Sequence, residues 1–224
     1  MIVIGLTGGL GTGKTTVARM FERVGAVVLD ADRLAHRAME PKRLAWRNIV
    51  KAFGLDVLNE DDTINRRWLA ERVFQDEHAR RQLEAIVHPR VLRFMADQIK
   101  RLAHGNDPSG PLARERTARK VKRHRVKAVV LDVPLLLEAN VQRLADVVVV
   151  VTAPPELQRQ RLRDRGMSEQ EIARRVAAQW ELSAKVAMAD FVVDNSGGLE
   201  QTRRQVIQIW NKLQKARQHL SRRA

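Results

Sequence analysis

Eight residues near the N-terminus, Gly8-Gly9-Leu10-Gly11-Thr12-Gly13-Lys14-Thr15, have the types and spacing of a phosphate cradle. Backbone N–H groups can converge on phosphate oxygens only where no side chain obstructs them, so the glycines are chemically required. Gly8 and Gly13 fill the fixed positions, and Gly9 and Gly11 add flexibility. Lys14 brings a cation to the β and γ phosphates, Thr15 offers a hydroxyl to a magnesium ion, and the helix starting there points its positive end at the anion. The candidate nucleotide contacts are therefore Gly11, Thr12, Gly13, Lys14, Thr15 and Thr16, with Lys14 also a catalytic candidate. The expected donor is ATP, with Mg2+ as cofactor. A carboxylate near that metal is expected at the end of a neighbouring strand, and Asp132 closes the run Ala128-Val129-Val130-Leu131 in that position. A strand-terminal Asp is also a common turn former.

A phosphate loop specifies a nucleotide and leaves the reaction open. Guanine reading needs Asn-Lys-x-Asp, and Asn211-Lys212-Leu213-Gln214 lacks the aspartate. Further sensor motifs of a motor ATPase are not found. A small-molecule kinase needs an acceptor lobe, a carboxylate to take the acceptor proton, and an arginine-bearing lid that excludes water. Asp30 and Asp32 follow the second apolar run, where the carboxyl end of a parallel sheet meets its ligands. After Pro154-Pro155 come Arg159, Arg161, Arg163 and Arg165, then Arg174 and Arg175. Guanidinium forks suit phosphate and stack on adenine. Taken one at a time, each of these arginines is better read as part of a solvated helix face.

The elements that must position these groups follow from the apolar pattern. Ile2 to Leu6, Ala26 to Leu29, Ala128 to Leu131, Val147 to Val151 and Phe191 to Val193 are continuous runs suited to strands buried on both faces. Helical stretches separate most of them, which predicts a parallel sheet covered by helices. Helix starts are marked by the glycine loop, by Asn65 and by a Ser168-x-x-Glu171 capping box; Pro41, Pro89 and Pro154-Pro155 mark breaks. Residues 33–103 carry apolar stripes at helical spacing and are read as an inserted helical lobe.

At 224 residues, with no cysteine, the chain can bury one core plus a small lobe, and its composition fits a reducing cytoplasm. Met1 to Leu6 is too short for a signal-peptide core, and no stretch approaches a membrane span. The net charge of +15 would point to nucleic acid if it belonged to the folded body. Residues 114–127 hold eight Lys/Arg against Glu115, and 211–224 hold five more; together they carry +12 of the total. Nucleic acid is thus reduced to a side contact of the basic insertion. A monomer or weak oligomer is expected.

The ordered set Gly5 to Ala18, Asp30-Ala31-Asp32, His88-Pro89, Asp132-Val133-Pro134-Leu135-Leu136-Leu137-Glu138, Gln179 and Ala189 to Gly197 resembles the dephospho-CoA kinase family. The resemblance runs from residue 2 to about 210. It implies transfer of the ATP γ-phosphoryl group to the ribose 3'-hydroxyl of dephospho-CoA, giving CoA and ADP, the last step of coenzyme A synthesis. It implies an α/β fold: a five-stranded parallel P-loop kinase core (1–32, 128–153 and 181–224), a helical acceptor-binding domain (33–103) and a lid (154–180). Segment 104–127 is an insertion longer than the family pattern calls for. By the same resemblance Asp32 takes the acceptor proton, with Asp30 the runner-up or a magnesium-shell residue. Arg161 and Arg165 serve as the lid pair, and His88 either shapes the acceptor lobe or caps a helix.

Overall fold

A computed structural model of the chain describes residues 1–105 and 126–221, with side chains as far as 218. The basic segment 114–127, and with it the expected polyanion contact, falls outside the described residues except for Val126 and Lys127.

The five apolar runs are five strands: β1 (Ile2–Gly8), β2 (Val27–Asp30), β3 (Ala128–Asp132), β4 (Val147–Thr152) and β5 (Phe191–Asp194). They form one sheet in the order β2-β3-β1-β4-β5, every pair parallel. Parallel neighbours need long crossovers, and those carry helices across the faces. That is why Ile4, Leu6, Val130, Val149 and Val150 are buried whichever way they point. The register pairs Leu6 with Asp132 and Asp30 with Asp132, so β1, β2 and β3 present their carboxyl ends along one edge.

Helix α1 (Lys14–Arg23) follows the glycine loop and buries Val17, Ala18, Met20 and Phe21. Together with Val206, Ile209, Trp210 and Leu213 of the last helix these side chains build a core against Ile4, Val28, Val130 and Val193. Phe21 is fully buried, and truncating it to alanine would cost about 3–5 kcal/mol. This core holds in place the strand and helix between which the phosphate loop is strung.

The chain forms two compact units, one comprising Met1–Asp30 and Ile99–Ala224, the other Ala31–Gln98. The second contains α2 (Ala31–Ala38), α3 (Leu44–Phe53), α4 (Arg66–Gln75) and α5 (Glu77–Ala103) as far as Gln98. Its own core includes Leu34, Ile49, Val57, Leu69, Val87 and Met95. Asn65 caps α4 as its type predicts, its Oδ1 accepting the Trp68 N–H at 3.0 Å.

Pro89 behaves differently from the sequence expectation: α5 runs straight through it. A proline deprives the carbonyl four residues back of its partner, and this usually breaks a helix. Here Ala79 and Val87 before it, and Val91 and Met95 after it, are all buried, so burial on both sides holds the helix continuous. The Arg90 guanidinium also donates to the Ile86 carbonyl. His88 therefore sits within a helix and caps none.

The first unit continues with α6 (Pro155–Arg163), α7 (Glu169–Ala177), α8 (Leu182–Ala187) and α9 (Leu199–Ser221). Half of the expected capping box forms. Ser168 Oγ accepts the Glu171 N–H at 3.2 Å, while the Glu171 carboxylate pairs with Arg175 at 2.7 Å. No helix among the described residues is long and apolar enough to cross a membrane.

Candidate active site

The phosphate loop leaves β1 at Gly8 and enters α1 through Gly13, whose φ of 88° lies in the left-handed region that favours glycine. Gly11 has φ 80°, and a Cβ there would sit 2.7 Å from the Gln158 carbonyl oxygen. The sequence made Gly11 a candidate nucleotide contact and a source of flexibility; the packing of α6 adds a steric requirement for glycine there. At Gly8 a Cβ would come within 2.5 Å of the Val151 carbonyl oxygen, so this glycine lets the loop start against β4.

The loop's carbonyls are taken by protein donors. Thr12 N–H and Thr12 Oγ1 donate to the Gly9 carbonyl at 3.2 and 2.8 Å. Asn195 Nδ2 donates to the Thr12 carbonyl at 2.8 Å, and Arg161 Nη1 reaches the carbonyls of Gly11 and Thr12 at 3.5 and 3.3 Å. Asn195 is in turn oriented by Thr202 Oγ1, which donates to its Oδ1 at 2.9 Å; both residues are buried. On the outer side, the Leu10 N–H donates to Gln179 Oε1 at 3.0 Å. The backbone N–H groups of Gly11, Gly13, Lys14 and Thr15 have no acceptor among the described residues. Unpaired N–H donors at the start of a ten-residue helix form a site for an anion.

Lys14 extends to the end of β3 and forms an ion pair with Asp132, whose side chain is 4 % exposed. Asp30, the last residue of β2, is the register neighbour of Asp132. Cation, carboxylate and loop thus converge at the carboxyl edge of the sheet. Thr16 is half-buried in the first turn of α1, its N–H donating to the Gly13 carbonyl at 2.9 Å, and Thr15 is exposed. Asp32 is exposed in the first turn of α2, in the other unit. Of the two arginines expected to act as a lid pair, Arg161 is at the loop, whereas Arg165 lies exposed in the turn after α6.

The sequence reading gave no role to Asn195, Gln179 or Lys185. Asn195 and Gln179 stood among the motifs that carry the family resemblance, Asn195 within Ala189 to Gly197, but neither motif said what its side chain does. Lys185 carried no signal, yet it is fully buried and paired with Glu138 at 2.7 Å.

Two hollows accompany these residues, one in each unit. A cleft of about 270 Å³ runs between Leu10 of the loop and Leu162, Ile172, Gln179 and Trp180. Within Ala31–Gln98 a cavity of about 420 Å³ is lined by His36, Met39, Glu40, Asn59, Thr63 and Arg66. His88 is half-buried on α5 and is not part of that lining.

A parallel 2-3-1-4-5 sheet, a glycine loop opening a helix, a loop lysine paired with a strand-end aspartate, and an arginine brought in from a later helix define a P-loop phosphotransferase. The dephospho-CoA kinase family profile matches residues 2–107 and 106–201. A dephospho-CoA kinase of Syntrophotalea carbinolica is 41% identical over 95% of this chain and 92% of its own length. One of Bacillus licheniformis is 41% identical over 96% and 99%. A solved structure from Thermus thermophilus superposes with a TM-score of 0.74 at 30% identity, covering 95% of this chain and 97% of that one. Dephospho-CoA kinase from Campylobacter jejuni, 22% identical over 96% and 98%, shares the fold with a TM-score of 0.66. The chain belongs to the dephospho-CoA kinase family.

Proposed function

We propose that the chain transfers the γ-phosphoryl group of ATP to the ribose 3'-hydroxyl of dephospho-CoA, releasing CoA and ADP. The observation that carries the donor half is the set of N–H groups of Gly11, Gly13, Lys14 and Thr15, without acceptors among the described residues, beside the Lys14–Asp132 pair. Family membership supplies the acceptor half.

Phosphoryl transfer asks a protein for positioning and charge compensation more than for covalent chemistry. The loop N–H groups bind the β and γ phosphates, and Lys14 exchanges its Asp132 partner for phosphate oxygens or shares both. Arg161 links α6 to the loop and adds positive charge beside it. Asp32 accepts the proton of the 3'-hydroxyl as that oxygen attacks phosphorus in line and the bond to the ADP oxygen breaks. Asp30 is the alternative acceptor. The helical unit holds dephospho-CoA, and its cavity beside His36 and Arg66 is the proposed place for part of it.

Among the described residues no group of three or more His, Cys, Asp or Glu could hold a metal ion by itself. Magnesium is usually carried by one or two protein oxygens together with substrate phosphates and water. Thr15 Oγ1 and Asp132 would hold Mg2+, which supplies positive charge to the phosphate oxygens. A cytoplasmic location accords with the cysteine-free sequence.

The test is an acceptor panel with purified protein and ATP: dephospho-CoA, AMP, CMP and adenosine. Efficient phosphorylation of dephospho-CoA alone is the expected result. A preference for AMP, CMP or adenosine would reassign the acceptor while leaving the donor site standing.

A further inference from the structure

Lys185 on α8 is fully buried, and an ammonium taken out of water is costly unless acceptors receive it. Two do so. Glu138 Oε1 lies 2.7 Å from Lys185 Nζ, and the Pro134 carbonyl accepts from the same nitrogen at 3.3 Å. Neither acceptor serves Lys185 alone. Glu138 Oε1 also accepts the Trp180 N–H at 3.0 Å, and the Pro134 carbonyl accepts the Thr7 hydroxyl at 3.0 Å. Gln179, next to Trp180, accepts the Leu10 N–H.

These bonds close a circuit around the donor site. Thr7 is the residue of β1 just before Gly8. Pro134 and Glu138 follow Asp132 on the loop leaving β3. Gln179 and Trp180 are where the chain leaves the arginine-bearing segment α6–α7 and heads into α8. A buried ion pair is a weak source of stability, because an apolar pair of the same volume does as well or better. Glu138 Oε2 is moreover buried without a hydrogen-bond partner among the described residues. The arrangement is poor as a stabilising device and well placed as a geometric one.

We propose that Lys185 and Glu138 are positioning residues for phosphoryl transfer. They fix the point at which the arginine-bearing segment returns to the sheet, and through Gln179 they fix the Leu10 edge of the phosphate loop. This rests on the kinase reading above for its turnover readout, and amide exchange supplies a readout that does not.

Lys185→Met alone leaves Glu138 buried without its cation and should lower the melting temperature by roughly 10 °C. Lys185→Met combined with Glu138→Leu removes both charges and should regain most of that loss. Its kcat should nevertheless stay about 10–100-fold below the parent, because sub-ångström misplacement of reacting groups is enough to cost that much. A merely structural pair would give back kcat together with melting temperature, and that result overturns the proposal. In the same double variant the Leu10 amide, which touches neither residue, should exchange with solvent at least about tenfold faster. Unchanged Leu10 protection overturns the proposal whichever acceptor the enzyme uses. Should the double variant fail to fold, Gln179→Ala leaves the ion pair in place and should lower kcat by about tenfold with the melting temperature kept. Parental turnover in that variant also overturns the proposal.

Discussion

The donor site and the helical unit are each built from internal bonds, and the two sets differ greatly in reach. Around the phosphate loop, Asn195 reaches Thr12 across 183 residues of sequence, Gln179 reaches Leu10 across 169, and Arg161 reaches Gly11 across 150. In Ala31–Gln98, Asp76 binds the amides two and three residues on, Asn65 caps three residues on, Glu77 pairs with Arg81 four residues on, and Asp61 bonds Thr63 two residues on. Long-range bonds must offset the entropy of closing large loops, so they form only once the sheet has assembled. Local bonds form with their helix. The donor loop is thus shaped by its surroundings, whereas each helix of the other unit is largely specified by its own sequence.

The largest effects should come from the reacting groups themselves. Asp32→Asn should lower kcat by about 10²–10⁴-fold with melting temperature unchanged, since Asp32 is exposed and contributes charge rather than packing. Near-parental turnover in that variant would move the role of proton acceptor to Asp30. Lys14→Ala should lower kcat by about 10²–10³-fold, and it should also destabilise, because it strands the buried Asp132 carboxylate. Steady-state kinetics with dephospho-CoA and thermal melts of both variants test the pair. A Lys14→Ala protein as stable as the parent would show that Asp132 does not depend on its partner.

The same contrast in reach explains what could be read from the sequence. Asn65 and Ser168 were legible as caps because their partners, Trp68 and Glu171, lie three residues away. The five strands were legible because parallel strands buried on both faces are almost continuously apolar, as Val147–Thr152 is. The glycine loop was legible because backbone geometry restricts those positions to glycine. The bracing roles of Asn195, Gln179 and Lys185 were not, although the first two stood within the family motifs, since each acts on a residue that only the assembled sheet brings near. Pro89 misled for the converse reason: its local effect is real, but burial along α5 on both sides outweighs it. The identity of the acceptor came from family likeness, because a helical lobe with amphipathic stripes names no ligand.

A smaller effect separates loop shape from loop chemistry. Gly13→Ala keeps Lys14 and Thr15 but forces a left-handed φ on alanine and drives its Cβ into Asn195 Nδ2. The loop would have to leave its position, so the KM for ATP should rise by roughly tenfold or more, at about 1–3 kcal/mol of strain. Asn195→Ala, which removes the brace and leaves the glycine, should raise the same constant less, by roughly two- to tenfold, the worth of about one buried hydrogen bond. If Asn195→Ala matched Gly13→Ala, the long-range brace would matter as much as the local backbone.

The smallest expected effect lies in the helical unit. Asp76 precedes α5 and accepts the Ala79 and His78 N–H groups at 3.1 and 2.9 Å; the bond from Ala79 is the chief cause holding its carboxyl below the ordinary value of 3.8. A carboxylate at a helix start interacts favourably with the positive end of the helix. Because the folded group is the stronger acid, its contribution is complete above 3.8 and is lost as the pH falls through the lower folded value. Asp76→Asn keeps an oxygen acceptor and removes only the charge, so at neutral pH it should lower the melting temperature by about 2 °C or less. Melts repeated on acidification should show the parent converging on the variant below 3.8. Turnover at neutral pH should be unaffected, because the bond is local to α5. A constant gap across the titration would mean that Asp76 acts through shape alone.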